Sequence, residues 1–513
     1  MPTPITRRTL LTTTSAALGL TLLPYPLRAA ADEVWDLIVV GGGTAGMPTA
    51  YFASRRMRVL VIEKAGILGG TLDRSTGQVA AANTVWQEAK GIEDSPDAHY
   101  EDIMRINHGT SDPALTRRFV EHAGEALNWL ARHGYEVLPE HPVTGSGHEH
   151  FRTPRYQWGP KGGWSIYETM LPLIEERIRS GRVTTLMNTS VEELMLDKDG
   201  AVTGVIARPL EGEPRPIRAR NVVLATGGCA GNPEMFEALH GVALSCRIAH
   251  HNAQGIGITL GESAGGYVRG GEHYLPLAGG VLASTDFPAP LSAYAVLNPP
   301  VRPPWEVVVN SNGRRFVRED HPSIHHIEVA VGRQPGETHW AVFDDEILEQ
   351  APPLFDDWTR ERMREATSDH PMMFRGETVG ELAAATGLSP AALTETVDTY
   401  NRALAAGTPD PLGREHRPLP IAKPPFYAVR LQGWTVVSFA GLAVDSDLRV
   451  VKRSGEAVAN LYAVGEVIGA GATSGNAYTN GMLVTPAVTF GRLLGERIVS
   501  IGQDKCLVVT PLA

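Results

Sequence analysis

Four short apolar runs along the chain each end in small residues, mostly glycine. The first covers residues 35–40, and the others cover residues 59–62, 220–226 and 460–464. Continuous apolar runs of this length are typical of strands buried on both faces. Because the runs lie in the first, middle and last thirds of the chain, they predict one sheet assembled from distant segments.

The first run leads into Gly41-Gly42-Gly43-Thr44-Ala45-Gly46, a Gly-x-Gly-x-x-Gly pattern that predicts a tight turn from strand into helix. Such a turn lets the backbone approach a pyrophosphate, whose charge is stabilised by the helix N-terminus. Glu63 ends the second run 20 residues after Gly43, where an acidic side chain accepts hydrogen bonds from a ribose. The alternative for Glu63 is a solvated charge at a strand end. The unit predicts a dinucleotide site.

The middle of the chain departs from this pattern. Residues 246–355 are rich in proline and aromatic residues and hold the densest run of histidines. Helical patterns follow, and Ser389-Pro390 predicts an N-cap followed by proline at the first helical position. A last helix is predicted over residues 485–498.

The N-terminal residues have the character of an export signal. Residues 1–31 contain no acidic residue and combine Arg7-Arg8, an apolar run to Leu23 and the small residues 29–31. The run is shorter than the ~20 residues of a membrane span. We predict twin-arginine export and a periplasmic or secreted protein; a plain N-terminal extension is the alternative.

The composition restricts the kinds of binding partner and cofactor that are expected. The formal charge is −11, and it becomes about −14 when the three arginines of residues 1–31 are removed, which disfavours nucleic-acid binding. The three cysteines, Cys229, Cys246 and Cys506, provide neither a disulfide framework nor a haem attachment motif. Any further electron relay is therefore expected outside this chain.

Together the motifs resemble the fumarate reductase/succinate dehydrogenase flavoprotein family over nearly all of residues 34–500. The shared stretches are GGGTAG (41–46), VLVIEK (59–64), LGGTLDRSTG (68–77), VVLATGG (222–228), NSNGRRFVRED (310–320), ELAAATGLSPAALTETVDTYN (381–401), PPFYA (424–428) and NLYAVGEV (460–467). The resemblance implies FAD, and an α/β fold in which a Rossmann-like FAD-binding domain carries an inserted α+β capping domain. The expected boundaries are a signal peptide at 1–31, the FAD-binding domain at 32–245 and 426–513, the cap at 246–355 and a helical segment at 356–425.

The resemblance also implies the residues that contact FAD. They are Gly41, Gly43, Thr44, Ala45, Gly46 and Glu63 towards the ADP, Gly70, Thr71, Ser75, Gly77 and Thr485 towards the flavin, and Lys64, Ala225, Thr226, Gly227, Gly465 and Glu466 as further cofactor-binding residues. Thr485-Pro486 predicts a helix start whose N–H groups face the flavin, with a capped surface helix as the alternative. Some family members attach FAD through a histidine in the loop after the second strand. Residues 71–76 contain none, so we expect non-covalent FAD.

The chain departs from fumarate reductases at their substrate positions. The family's His-Pro-Thr falls on Leu275-Pro276-Leu277, its proton-donating arginine on Ser323, and its His-Thr motif begins at Trp434. Charge-assisted bonds are the strong ones, and their loss makes plain fumarate chemistry unexpected.

Residues 465–492 are similar instead to tricarballylate dehydrogenases and, more loosely, to 3-ketosteroid dehydrogenases. In the steroid group a tyrosine hydroxyl and a nearby N–H hold a carbonyl oxygen and acidify the neighbouring C–H. Tyr478 occupies that position and can donate to a developing enolate. The alternative is that Tyr478 packs beneath the flavin.

Histidines supply the other candidates. His321 and His325 follow the Arg315-Phe316 motif, in a region that faces substrate in relatives, and histidine serves as acid or base at neutral pH. We predict Tyr478, His321 and His325 as the catalytic side chains. His148 and His150 alternate like ligands on one strand face, but without a third ligand at suitable spacing no metal site is predicted.

These observations predict an exported FAD-dependent oxidoreductase of the dehydrogenase or reductase type. It would act on a CH–CH bond next to a carbonyl or carboxylate of a small organic substrate. A separate quinone, cytochrome or O₂ would exchange the electrons. A flavin-binding electron-transfer partner and an FAD-dependent alcohol or amine oxidase remain the alternatives.

Overall fold

The computed structural model describes residues 33–501. The predicted signal peptide and Cys506 lie outside these residues. Between residues 33 and 501, no helix combines the length and the apolar character that crossing a membrane requires.

Twenty strands are described. They are β1 (Val34–Trp35), β2 (Leu37–Val40), β3 (Val59–Ile62), β4 (Val79–Ala80), β5 (Tyr156–Gln157), β6 (Val183–Leu186), β7 (Thr189–Leu196), β8 (Val202–Pro209), β9 (Arg215–Ala219), β10 (Val222–Leu224), β11 (Val268–Arg269), β12 (Leu277–Leu282), β13 (Leu291–Tyr294), β14 (Val307–Asn310), β15 (Thr338–Asp344), β16 (Met373–Gly376), β17 (Phe426–Trp434), β18 (Gly441–Leu442), β19 (Arg449–Val451) and β20 (Ala457–Ala463).

The described α-helices are α1 (Gly46–Ala53), α2 (Val85–Ala89), α3 (Pro96–Ile106), α4 (Pro113–Arg132), α5 (Gly163–Arg179), α6 (Pro233–His240), α7 (Ile256–Ser263), α8 (Ile324–Gly332), α9 (Asp345–Gln350), α10 (Arg360–Asp369), α11 (Val379–Thr386), α12 (Pro390–Ala405), α13 (Gly471–Ser474) and α14 (Val484–Ile501). Four short 3₁₀-helices cover Gly70–Asp73, Gly271–His273, Pro335–Glu337 and Gly465–Ile468.

The sheet of the FAD-binding domain brings the four apolar runs together. Its strand order is β19-β20-β10-β2-β3-β6, and β20, β10, β2, β3 and β6 run parallel. The predicted assembly of one sheet from distant parts of the chain is confirmed. Because these strands are parallel, the turns after β2, β10 and β20 meet at one edge of the sheet.

Two helices pack closely beside this sheet. Side chains at Gly491 and Gly495 of α14 would collide with the carbonyl oxygens of Ala45 and Thr49, so glycine permits the close approach of α14 to α1. A second sheet, in the order β1-β9-β8-β7, extends from the same domain.

The cap is built on an antiparallel sheet in the order β13-β12-β17-β15-β14, with β16 also paired to β17. Leu382 of α11 and Val397 of α12 are buried in the same hydrophobic core as Val342 of β15. The cap core therefore includes the helical segment predicted separately at 356–425. The cap sheet also continues to Trp434, beyond the boundary expected at 426, because β17 pairs with strands on both sides.

A third, small hydrophobic cluster lies where the two domains meet. It contains Leu275, Val437, Phe439, Ala470 and Tyr478. Leu275 precedes β12 of the cap, whereas Ala470 and Tyr478 follow β20. Chain segments from both domains thus surround Tyr478.

Candidate active site

Three glycine turns form a cradle at the sheet edge. Gly41 has a φ of 97°, and a Cβ on it would lie 2.5 Å from the carbonyl oxygen of Ala225 after β10. Gly465, with a φ of 79° after β20, would place a Cβ 2.9 Å from the Cβ of Ala45. The turns predicted from three distant motifs are therefore in direct contact.

The N-terminus of α1 is left open to a ligand. Ala45, at the N-cap, makes no side-chain capping bond, and the first turn of α1 carries no acidic residue. A side chain at Gly46 would collide with the carbonyl oxygen of Gly41. Thr44 lies within the same turn. Unpaired N–H groups at a helix start suit a pyrophosphate.

Glu63 is oriented by two backbone donors. One carboxylate oxygen accepts from the N–H of Gly42 at 2.7 Å, and the other accepts from the N–H of Ala65 at 2.8 Å. Each oxygen retains accepting capacity for a ribose hydroxyl. Lys64 beside it is exposed.

The loop after β3 closes the cradle. A Cβ on Gly70 would lie 2.9 Å from the Cα of Gly43, which places the 3₁₀-helix containing Thr71 against the glycine turn. The Ser75 hydroxyl accepts from the N–H of Gly77 at 3.0 Å, so it orders this loop. Beyond Ala225 and Thr226, a Cβ on Gly227 would meet nothing within 4 Å, so the cradle is open there.

The carboxyl group of Glu466 is fixed by Ser438. Glu466 Oε1 accepts from the backbone N–H of Ser438 at 2.9 Å and from its hydroxyl at 3.2 Å. Burial raises the pKa of Glu466 above its usual range. Glu466 thereby ties the turn after β20 to the segment that returns from the cap.

Thr485 does not present its own polar groups to a cofactor. The structure starts α14 at Val484, so Thr485 lies inside the helix, and its N–H donates to the Gly481 carbonyl at 3.2 Å. Its hydroxyl accepts from the N–H of Ala80 at 2.9 Å and donates to the Gly481 carbonyl at 2.8 Å. Thr485 therefore joins α14 to β4.

A cavity of about 90 Å³ opens beside this cradle. Its described lining contains no lysine or arginine. The lining residues are Ser75, Thr76, Gln78, His148, Tyr156, Phe439, Ala470, Ser474, Ala477, Tyr478, Thr479, Asn480, Gly481, Met482, Leu483 and Val484.

Tyr478 is one of several buried hydroxyl-bearing residues of this cavity, with 7% of its surface exposed. Its oxygen lies 3.1 Å from Thr435 Oγ1, directly after β17. Phe439 packs against its ring edge-to-face at 5.5 Å, and His148 stacks on it at 5.4 Å. Burial raises the pKa of Tyr478 above its usual range, so the hydroxyl stays protonated.

The loop that carries His148 is attached to the residues after Tyr478. Asn480 Nδ2 donates to the carbonyl oxygen of Glu149 at 2.8 Å. Farther along, Arg155 is fully buried and pairs with Asp94 at 2.6 Å and Asp102 at 2.7 Å. These bonds fix the path of the chain between α4 and β5.

His148 meets a buried acid from the cap. Its Nδ1 lies 3.7 Å from Oε1 of Glu328 in α8, and Glu328 is only 1% exposed. Burial raises the pKa of Glu328 to about 8. Burial, and then His325, lower the pKa of His148 to about 4.

The two predicted cap histidines lie in different places. His325 lies near His148 and Glu149, and its ring is 5.5 Å from that of His108, which follows α3. Burial and then His108 lower the pKa of His325. His321 stacks on His326 at 4.3 Å and accepts from the N–H of Ser323 at 3.1 Å. The structure thus brings His325 close to His148 and engages His321 at the start of α8.

Comparison with known proteins accounts for this arrangement. Residues 36–480 match the family model described as an FAD binding domain. The chain belongs to this FAD-binding family. The prediction of FAD as cofactor, and of an FAD-dependent oxidoreductase, is confirmed.

Individual relatives of this flavoprotein support the same conclusion. Probable fumarate reductase Ifc3 of Shewanella frigidimarina is 27% identical over 488 residues, which cover 93% of this chain and 77% of the relative. A 3-oxosteroid 1-dehydrogenase of Mycobacterium tuberculosis is 24% identical, over 91% of this chain and 98% of the relative. The open conformation of a flavocytochrome c3 fumarate reductase has a TM-score of 0.68 at 25% identity, covering 93% of this chain and 80% of that one. The predicted fold and family resemblance are confirmed.

The residues of the flavoprotein cradle fit FAD. The open N-terminus of α1 would hold the pyrophosphate and Glu63 the ribose, while the unfilled space at Gly227 leaves room beside the sheet edge. Residues 71–76 contain no histidine, and non-covalent binding stays a prediction.

Sequence reasoning missed two parts of this site. The sequence pattern presents His148 only as a possible metal ligand and indicates no role for Glu328. One signal for Glu328 was available, because it occupies the buried face of a helix with Ile327 and Val331. An acid on an otherwise apolar helical face indicates either a buried ion pair or a proton-transfer group.

Proposed function

We propose that this flavoprotein oxidises or reduces a CH–CH bond adjacent to a ketone carbonyl whose oxygen is held by Tyr478. The observation that carries the proposal is the buried Tyr478 hydroxyl in a cavity whose described lining has no cationic side chain. A neutral carbonyl needs one good hydrogen-bond donor, whereas a dicarboxylate needs several charged ones.

The hydroxyl of Thr435 sets the direction of the Tyr478 hydrogen. Thr435 Oγ1 donates its only hydrogen to the Val437 carbonyl at 2.8 Å and lies 3.1 Å from Tyr478 Oη, so the tyrosine hydroxyl donates to Thr435 in this arrangement. A carbonyl oxygen that binds beside Tyr478 would accept this hydrogen in place of Thr435. Stabilisation of the developing enolate would then acidify the adjacent C–H.

Two positions that carry substrate-binding side chains in fumarate reductases make other contacts in this protein. Leu275 packs in the small apolar cluster around Tyr478. The indole N–H of Trp434 donates to the carbonyl of Ala278 at 3.3 Å. These contacts support a carbonyl substrate over the fumarate that relatives are named for.

Bound FAD supplies the hydride acceptor or donor of such a reaction. The chain contributes the donor to the carbonyl oxygen and a group that moves the proton at the neighbouring carbon. Both directions use the same residues.

A substrate panel tests the proposal. The purified holoenzyme is studied anaerobically in a stopped-flow instrument. The oxidised enzyme is mixed with saturated ketones, and the photoreduced enzyme is mixed with enones. Cyclohexanone, 2-cyclohexen-1-one and a 3-ketosteroid represent carbonyl substrates, and succinate and fumarate represent dicarboxylates. We expect flavin absorbance to respond to a carbonyl compound and not to the dicarboxylates. Fumarate turnover with no response to any carbonyl compound would contradict the proposal.

We further propose that the protein is exported by the twin-arginine route and exchanges electrons there with a quinone, a cytochrome or O₂. Arg7 and Arg8 support the route. The test is cell fractionation of the wild type and an Arg7→Lys, Arg8→Lys double variant. Export of the wild type and cytoplasmic retention of the variant are expected; equal distribution of both would contradict the route.

A further inference from the structure

Two buried polar atoms face each other next to Tyr478 and lack hydrogen bonds. Within residues 33–501, neither His148 Nδ1 nor Glu328 Oε1 has a hydrogen-bond partner, although they lie 3.7 Å apart. Unpaired buried polar atoms are costly, so such a pair calls for a reason. A shift of less than about 1 Å would bring the two atoms within hydrogen-bonding range.

The environment decides where the proton of this pair lies. Glu328 extends from an apolar helical face, and burial disfavours its ionised form. Burial of the His148 ring, 27% of which stays exposed, also lowers its pKa and disfavours a charged imidazole. At neutral pH the pair therefore holds one transferable proton, on the Glu328 carboxyl, beside a neutral imidazole.

We infer that His148 and Glu328 form a proton relay in which His148 exchanges a proton with the substrate carbon next to the carbonyl and Glu328 stores that proton. His148 lines the cavity and stacks on Tyr478, so its ring lies beside the proposed carbonyl site. Glu328 reaches the same imidazole from the cap. This inference rests on the proposed function and extends it to the proton that the reaction must move.

The steps balance in both directions. In reduction, the hydride that bound FAD would supply goes to the far alkene carbon, and His148 Nε2–H gives its proton to the carbon next to the carbonyl. The Glu328 O–H proton moves to Nδ1 in the same step, so the imidazole stays neutral and Glu328 becomes a carboxylate. In desaturation the bonds change in the reverse order, and the carboxylate takes up the proton.

Several other titratable groups surround the relay. The groups that face the pair or its neighbours are Tyr478, His325, Glu337 and Glu466 and, beyond His325, His108, Glu149 and His326. Tyr478 stays neutral because burial raises its pKa, and burial lowers the pKa of His325. Ionisation of Glu328 is thus expected to determine the alkaline side of the pH profile.

The first test needs no substrate. Infrared difference spectra of the oxidised holoenzyme, wild type minus Glu328→Gln, are recorded from acidic to alkaline pH. We expect the C=O band of a protonated carboxyl group at neutral pH, lost with a midpoint near 8. His148→Gln should shift that band, because the imidazole is its neighbour. A spectrum without a protonated-carboxyl band at neutral pH would overturn the inference.

The second test measures proton delivery. The photoreduced holoenzyme is mixed with 2-cyclohexen-1-one, or with whichever enone of the panel reoxidises it, across the same pH range. Wild-type reoxidation should slow as the pH rises through about 8. Glu328→Gln and His148→Gln should each slow it by at least ~100-fold at neutral pH, the range for loss of a general acid.

Matched variants separate proton transfer from packing. Glu337→Gln changes another buried acid, which bonds to the Tyr274 hydroxyl, and His150→Gln changes another histidine of the same loop. In both variants the rate of flavin reoxidation should depend on pH as it does in the wild type. Wild-type rates in Glu328→Gln would overturn the inference while leaving the proposed function intact. If no carbonyl compound reacts, the proposed function fails, and the infrared result decides the inference.

Discussion

Replacing Tyr478 with phenylalanine is the most direct test of how the site works. The change removes one oxygen atom and preserves the ring that packs against Phe439 and His148. Thr435 retains the Val437 carbonyl as a partner at 2.8 Å, so no buried donor is stranded. The loss in folding stability should therefore be about 1 kcal/mol, the net value of one hydrogen bond.

The effect on the rate should be much larger. A single donor to a developing oxyanion contributes about 2.7–4 kcal/mol, or roughly 100- to 1,000-fold in rate. Because the described cavity lining contains no lysine or arginine to compensate, we expect the upper part of that range. FAD affinity should stay within about twofold, since Tyr478 is separate from the glycine turns that form the cradle.

The assay is the single-turnover rate of flavin reduction or reoxidation with the active carbonyl compound, at saturating concentration, alongside FAD binding and thermal unfolding. Tyr274→Phe is the matched control. Tyr274 also packs against Phe439, at 5.9 Å, and its hydroxyl is bonded to Glu337. It should retain the wild-type rate. A wild-type rate in folded, FAD-loaded Tyr478→Phe would refute the assignment and leave Tyr478 as a packing residue.

Three further predictions concern the cofactor cradle and the stability of the fold. Glu63→Gln should weaken FAD binding by about 10- to 100-fold, measured by fluorescence titration of the apoprotein, because the amide loses one of two oxygen acceptors; equal affinities would contradict the ribose assignment. Thr485→Val should reduce stability by about 1–3 kcal/mol in urea unfolding by stranding the N–H of Ala80, whereas Thr485→Ser should not. Burial raises the pKa of Glu337 from 4.5 to about 7, so its contribution to stability is lost as pH rises through that range, by up to about 3 kcal/mol. Between mildly acidic and mildly alkaline pH, the melting temperature of Glu337→Gln should accordingly fall less than that of the wild type. The same dependence of melting temperature on pH in both proteins would contradict this reasoning.

The fold and the cofactor cradle were predictable because their signals are local. Gly41, Gly46 and Glu63 lie within one βαβ unit, so their spacing along the chain determines their arrangement in space. The position of β17 was harder to predict. Its sequence shows that it is a strand, but its pairing with β12 and β15 depends on segments about 90 to 150 residues away.

The polar groups of the candidate site were only partly predictable for the same reason. Tyr478 belongs to a recognisable motif, whereas His148 and Glu328 are 180 residues apart and become neighbours only when the cap folds over the sheet domain. The Thr485 motif correctly indicates a helix start, since α14 begins at Val484, but the motif does not reveal that the Thr485 hydroxyl accepts from the N–H of Ala80.

The division of the site between two domains gives the cap a role in the chemistry. Tyr478 and His148 belong to the FAD-binding side. Thr435 directly follows β17 of the cap, and Glu328 lies in α8 of the cap. The position of the cap therefore sets two distances at once. One is the 3.1 Å contact that lets Thr435 orient the tyrosine proton, and the other is the 3.7 Å gap across which Glu328 reaches His148. Because a hydrogen bond needs about 2.7–3.2 Å, the His148–Glu328 gap exceeds that range by about 0.5–1 Å, whereas the Thr435–Tyr478 contact already lies within it. The cap in this position therefore orients the tyrosine hydroxyl and leaves the last step of the proton path to be closed by a local shift of His148 or Glu328.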